Sequence, residues 1–361
     1  MANFGHGGNA KELSRENKLE YDKIIDFSAN INPLGMPNSV RNAVINGLDQ
    51  IEKYPDITYF ELKCAISEFE NIDKESIILG NGAAEVLFNI VRGINPKKTL
   101  ILAPTFSEYE EATKAVGGKI IYYKLKEENA FRIQEDIFEY INSKLDLIFI
   151  CNPNNPTGVI TRKELLIKIL MKAKENGVMA VIDESFLDFI KEDLSMVSFI
   201  NEYDNLIVIK SLTKFFALPG LRIGYGICNN ATLKKKIDVI APAWNINILA
   251  EIATKVGVKD ENYIKESIEY VNNEKEYLYE ELKQFKELKI YKPSVNFIFL
   301  RVLININLRH ELLMKNILIR SCSNYEGLDS NYYRIAVRTH EENSILIKVL
   351  RNLFEEYENK E

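Results

Sequence analysis

S-L-T-K-F-F-A-L-P-G-L-R-I-G-Y, residues 211–225, lies just beyond the apolar, β-branched run 206–209. It places two hydroxyls, a lysine and an arginine after a strand-like segment. The amine of Lys214 can form a Schiff base with an aldehyde, a reaction that needs the amine neutral part of the time. Ser211, Thr213 and Arg222 can hold a phosphate, the arginine through its two-pronged fork. The stretch therefore suits a phosphorylated aldehyde cofactor. Read alone, it also suits an exposed loop with a solvated lysine and a surface ion pair, so its partners elsewhere in the chain decide.

Upstream, short apolar runs alternate with amphipathic stretches: 77–79, 99–102, 119–123, 147–150, 179–182, 206–209 and 223–227. Such alternation predicts an α/β domain with a mostly parallel, twisted sheet. Many of the runs end in polar or glycine-rich clusters, G-N-G at Gly80, A-P-T-F at Ala103, C-N-P-N-N-P-T-G at Cys151 and D-E-S-F at Asp183. Ligands of open α/β sheets bind outside the carboxyl ends of the strands, so these clusters are expected to meet in one crevice. Beyond residue 235 the pattern changes to long charged amphipathic stretches (255–286 and 341–357) and two strand-like runs (296–302 and 333–337). The expected organisation is an N-terminal arm contributing to a small domain (1–50), a large domain (51–235) and a small α+β domain (236–361).

Within the expected crevice, Asp183 can keep a heteroaromatic ring nitrogen protonated, or simply cap the following helix. Asn155, in the turn N-N-P-T-G, can donate to a ring oxygen, although the pentapeptide is also an ordinary turn. Phe106 can stack on a planar cofactor or fill a core. In G-N-G-A-A-E the backbone N–H groups of Ala83 and Ala84 can open a helix onto a phosphate. The pattern matches neither the dinucleotide fingerprint nor the P-loop.

Composition limits the alternatives. The 361 residues are 46% hydrophobic and 27% charged, with a net charge of −6. That is ordinary for a soluble multi-domain protein and offers no basic footprint for nucleic acid. Four scattered cysteines and three scattered histidines indicate neither a disulfide framework nor a metal site. With no apolar leader and no run of membrane-spanning length, a reducing cytoplasm is expected.

Taken together, N-N-P-T-G, D-E-S-F and S-x-T-K-x7-R resemble the fold-type I pyridoxal-phosphate enzymes of the aminotransferase superfamily over nearly the whole chain. The resemblance implies a large, mixed, mostly parallel seven-stranded sheet domain and a smaller α+β domain. It implies pyridoxal 5'-phosphate linked to Lys214, with Asp183 at the pyridine nitrogen, Asn155 at the phenolic oxygen and Phe106 on the ring. Ala83, Ala84, Ser211, Thr213 and Arg222 would hold the phosphate. It also implies a homodimer in which Tyr54 of K-Y-P-D reaches the neighbouring site.

Many histidinol-phosphate aminotransferases have tyrosine where this chain has Phe186 in D-E-S-F. The segments H-G-G-N (6–9), D-F-S-A-N-I-N-P-L-G (26–35) and I-R-S-C-S-N-Y-E-G-L-D-S-N-Y-Y-R-I-A-V-R (319–338) instead look like the threonine-phosphate decarboxylases of cobalamin biosynthesis. That resemblance implies decarboxylation of L-threonine O-3-phosphate to (R)-1-amino-2-propanol O-2-phosphate. Arg334 would anchor the substrate carboxylate, and Arg320, His6 and Asn30 or Asn32 its phosphate. The alternatives are a histidinol-phosphate aminotransferase and an L-serine O-phosphate decarboxylase. Without the resemblance, Arg320 and Arg334 read as ion-pairing residues of the small domain, and Trp244 as lining the pocket or filling the seam between domains.

Overall fold

Each of the seven apolar runs forms a strand, and all seven join one sheet in the structure, a computed structural model that describes residues 7–359. In chain order they are β1 (Ile77–Gly80), β2 (Lys98–Ala103), β3 (Lys119–Lys124), β4 (Leu147–Cys151), β5 (Met179–Asp183), β6 (Leu206–Ser211) and β7 (Gly224–Cys228). Across the sheet the order is β1-β7-β6-β5-β4-β2-β3, with only β7 running against its neighbours. Every residue of β4, β6 and β7 is buried, as expected of strands covered on both faces. Side chains alternate between two cores. Ile148 and Ile150 enter one, whereas Leu147 and Phe149 enter the other, beside α1 (Ala83–Ile94). The carboxyl ends of β4, β5 and β6 bring Asn155, Asp183 and Lys214 to the same rim.

A second sheet is antiparallel, in the order β10-β11-β9-β8, from β8 (Leu288–Ile290), β9 (Phe297–Val302), β10 (Arg320–Ser321) and β11 (Tyr332–Ala336). The arm forms a separate two-stranded sheet beside it: Ile25–Asp26 pairs in parallel with Ile317–Leu318, and Phe27 is fully buried in the core against the four-stranded sheet. The amphipathic stretch expected over 255–286 is two helices, Ile248–Gly257 and α2 (Glu261–Leu282). The break falls where the Asp260 carboxylate accepts from the Tyr263 amide at 3.0 Å and caps a new helix. The last helix, α3 (His340–Glu358), opens on a capping box between Thr339 and Glu342.

Glu127, just after β3, ties the two sheets together. Its carboxylate accepts from Lys289 (2.7 Å), Tyr291 (2.6 Å), Arg301 (3.0 Å) and Tyr332 (2.7 Å), which lie on or beside β8, β9 and β11. Burial opposes its ionisation, but the donors outweigh burial and hold its pKa down at about 2. A depressed carboxylate stabilises the fold above its unfolded pKa and loses that contribution as pH falls. Glu127→Gln is therefore expected to lower stability by roughly 1–3 kcal/mol at neutral pH, with the deficit shrinking between about pH 4.5 and 2. Denaturant melts of both proteins across that range measure it, and a pH-independent difference would contradict the assignment.

Candidate active site

Lys214 sits in a single helical turn, Leu212–Phe215, directly after β6. Its Nζ donates to Ser211 Oγ at 2.9 Å, and Ser211 Oγ lies 2.9 Å from Thr213 Oγ1. Burial lowers the pKa of the amine. Asp183 and Glu108 pull it back up, whereas Arg222 pushes it further down. Lys214 is thus neutral more often than a solvated lysine, the condition for a nucleophilic amine. Its Nζ stands 5.5 Å from the centre of the Phe186 ring.

Asp183 ends β5 and is buried. Tyr109 donates its hydroxyl to Oδ2 at 2.7 Å, and the Ser185 amide donates to Oδ1 at 2.9 Å. The two hydrogen bonds fix the orientation of the carboxyl group at the rim. Burial, followed by the Asp183 charge, raises the Tyr109 phenol well above its ordinary range, which keeps it a donor. The Tyr109 ring stacks on Phe149 (4.7 Å, 7°) and meets Phe106 edge-on (5.7 Å, 82°). Sequence reading missed Tyr109, whose only signal was its place three residues after Phe106 in the segment following β2.

A helix N-terminus and an arginine close this end of the cleft. The N-cap of α1 is Gly82, which brings no side chain to the first helical N–H groups. A β-carbon at Gly82 would lie 2.6 Å from the Arg222 guanidinium, and one at Gly224 would collide with the Ala83 amide nitrogen. The two glycines let Arg222 and β7 close on the helix end. Arg222 holds a left-handed backbone (φ 57°), uncommon for a residue with a side chain. Among the described residues it forms no ion pair, and its guanidinium donates to the Pro219 carbonyl at 3.3 Å. Ala83, Ala84, Phe106, Asp183, Ser211, Thr213, Lys214 and Arg222 all line the same cavity of about 90 Å³.

A larger cavity of about 330 Å³ adjoins it, sharing Phe106, Lys214 and Arg222 and adding Asn30, Asn155, Phe186, Arg320, Tyr325 and Arg334. Arg320 and Arg334 are direct cross-strand neighbours in the β10–β11 register. Arg334 donates to Asn155 Oδ1 and to the Ser28 carbonyl (3.0 Å), both neutral acceptors. Burial lowers its pKa, a sign of poor solvation. Arg320 donates to Asn324 Oδ1 at 2.7 Å. Since Asn155 Oδ1 also accepts from Tyr325 (3.2 Å), its amide N–H groups are what it has left to offer the cavity. Both polar atoms of the buried Asn30 side chain lack partners among the described residues.

Two expected site residues, Asn32 and Tyr54, stand apart from both cavities. Asn32 does not line either cavity. Its Nδ2 is spent on the Phe215 carbonyl and Ser267 Oγ, each at 2.8 Å, and its backbone N–H donates to the Lys214 carbonyl at 3.0 Å. It braces the lysine turn, and no donor remains for a substrate. Tyr54 is 82% exposed and leans on Trp244, ring centres 4.8 Å apart. Trp244 is itself half-exposed and lines neither of the two cavities. His6 lies outside the described residues.

A sequence model of the aminotransferase class I and II family matches residues 22–350. The threonine-phosphate decarboxylase of Salmonella typhimurium is 37% identical over 98% of this chain and 97% of that protein. Among solved structures, the histidinol-phosphate aminotransferase from Clostridium acetobutylicum is 35% identical, with a TM-score of 0.85 over 91% of this chain and 98% of its own. The L-threonine-O-3-phosphate decarboxylase from Porphyromonas gingivalis is 25% identical, with a TM-score of 0.82 over 91% and 99%. With the lysine, aspartate, arginine and helix N-terminus gathered at the carboxyl ends of a seven-stranded sheet, and the match spanning most of its length, the chain belongs to the aminotransferase class I and II family.

Proposed function

We propose that this chain decarboxylates L-threonine O-3-phosphate to (R)-1-amino-2-propanol O-2-phosphate in a pyridoxal-phosphate-dependent reaction of cobalamin biosynthesis. The observation that carries the reading is the pair Arg320 and Arg334, directly opposed on neighbouring strands in the cavity beside Lys214. Like charges in that register repel unless anions lie between them. A substrate with a carboxylate and a phosphate supplies two. Asn30, with both amide atoms unspent, adds hydrogen bonds to the same ligand.

The cleft residues fit pyridoxal 5'-phosphate. Arg222, Ser211, Thr213 and the Ala83 and Ala84 amides suit its phosphate, Asp183 its ring nitrogen, Asn155 its phenolic oxygen and Phe106 its face. Lys214 would hold its aldehyde carbon. Bound there, the cofactor supplies a ring that takes up the electron pair left when a bond to the substrate α-carbon breaks.

The protein itself chooses that bond. Arg334, fixed by Asn155 and Ser28, holds the substrate carboxylate, while Arg320 takes the phosphate. Two anchors at opposite ends of a small molecule would fix the rotation about its α-carbon, and so would select the bond to the carboxylate over the bond to the α-hydrogen for cleavage. Orientation of this kind contributes several kcal/mol to a barrier. Lys214 then holds the proton that returns to the α-carbon.

The large apolar side chains Ile45, Leu48, Ile51, Tyr54, Ile57 and Phe60 are exposed together on one stretch of chain. A second copy of the chain would cover them and bring its Tyr54 to the cofactor phosphate. No described helix is long and apolar enough to cross a membrane, and a cytoplasmic homodimer accords with that.

A second reading, a histidinol-phosphate aminotransferase, draws on the likeness to the Clostridium acetobutylicum structure. The cofactor-loaded protein separates the two. Given L-threonine O-3-phosphate and no keto acid, it is expected to release carbon dioxide over many turnovers. Silence in that assay, with amino transfer from histidinol phosphate to 2-oxoglutarate, would favour the second reading.

A further inference from the structure

Glu108 lines both cavities, the one around Lys214 and Arg222 and the one around Arg320 and Arg334, yet binds neither cofactor nor substrate in the arrangement above. It begins the helix Glu108–Ala115, one residue before Tyr109, and is mostly buried but keeps some exposed surface. Among the described residues, the charged groups that act on it include Glu111 on its own helix, Lys214 and Arg222 from the lysine segment, and Asp183 at the end of β5. Of these, Lys214 is the group whose charge state must change during turnover.

If the chain is a decarboxylase, as proposed above, its proton balance sets a demand. When the bond from the α-carbon to the carboxylate breaks, carbon dioxide leaves and the electron pair stays behind. A proton from the Lys214 ammonium then forms the new C–H bond. Each carbon dioxide released thus takes one proton out of solution, a demand that amino transfer does not make. A buried amine with Ser211 as its hydrogen-bond partner needs a route by which that proton is replaced.

We propose that Glu108 is the relay that restores the proton to Lys214 after each decarboxylation, its carboxyl group passing a proton to the amine and then regaining one from water. It acts through Lys214, not on the substrate. Its environment suits a relay. Burial first, then Glu111, raises its pKa to about 6, so both protonation states are within reach near neutrality. The negative charges of a bound cofactor and substrate raise it further.

Glu108→Gln keeps the shape and removes the proton, while Glu108→Asp keeps the proton on a shorter arm. Equal cofactor content and equal melting temperature would establish that both variants fold. In the substrate-free holoenzyme, loss of the carboxylate is expected to move the pH midpoint of the visible absorption band downward, because Glu108 favours the charged form of Lys214. With L-threonine O-3-phosphate, Glu108→Gln should lower kcat by about 10²-fold with KM little changed, and Glu108→Asp should recover part of the loss. Wild-type kcat should decline as pH rises past a value at or above about 6, and the glutamine variant should lack that step. An unmoved band midpoint with wild-type kcat, or a raised KM with normal kcat, overturns the relay alone. Failure of the wild type to release carbon dioxide overturns the decarboxylase reading and the relay with it.

Discussion

With Lys214 replaced by alanine, carbon dioxide release from L-threonine O-3-phosphate should fall by about 10⁴-fold or more, and the visible band of the cofactor-loaded protein should vanish. Both follow from one side chain being anchor and proton carrier. The nearest other lysine cannot substitute. Lys210 is buried on β6, just before the lysine turn, with Asp188 at 3.0 Å and Glu70 at 3.3 Å. Burial works against its charge, but Asp188, Glu70 and Glu184 outweigh burial and raise its pKa, so it stays protonated and bound. Absorbance spectra and steady-state assays check the point, and turnover at the wild-type rate would remove Lys214 from the chemistry.

Replacing Arg334 with alanine should lower kcat/KM by roughly 10²–10³, as expected when a buried, charge-assisted contact worth about 3–4 kcal/mol is cut. The loss should come with a change in outcome. Without the carboxylate anchor the substrate can rotate about its α-carbon, so a larger share of turnovers should break the C–H bond and end in amino transfer. Arg334→Lys should recover little, since an ammonium restores the charge but not the fork that meets Asn155 and Ser28 while gripping a carboxylate. Product analysis by mass spectrometry reads both effects. An unchanged ratio of carbon dioxide to transferred amine in Arg334→Ala would show that orientation is set elsewhere.

The fold was legible because most strands of the large sheet are short, buried, apolar runs bounded by turn chemistry, a local pattern, with only the edge strand β3 largely unburied. The expected fold-type I architecture, with its mixed, mostly parallel seven-stranded sheet, is the observed one. What escaped reading depended on pairing between distant segments. The strands Ile25–Asp26, Ile317–Leu318 and Arg320–Ser321 have two residues each, too few to carry a period. The opposition of Arg320 and Arg334 is a property of register, and their separation in sequence does not reveal it.

The candidate site was legible to a similar depth. Asp183 and Ser211 end strands, Lys214 follows one and Arg222 precedes another, and they meet because the strands do. Asn32 was expected to help bind substrate because its segment, residues 26–35, resembles that of the threonine-phosphate decarboxylases. Its amide instead closes on Phe215 and Ser267, the latter on α2, more than two hundred residues away. Tyr109 and Glu108 went unread for the opposite reason. They sit in an ordinary acidic helix start, and only the fold turns that end toward the cleft.

The choice of bond is the central claim, and one measurement addresses it most directly. The cofactor-loaded wild type is given L-threonine O-3-phosphate carrying ¹³C in the carboxyl group, with 2-oxoglutarate present in excess, and both labelled carbon dioxide and glutamate are followed. Labelled carbon dioxide and aminopropanol phosphate are expected in equal amounts, with glutamate a minor product. Glutamate formed in step with substrate loss, with the label retained in a keto acid, would contradict it.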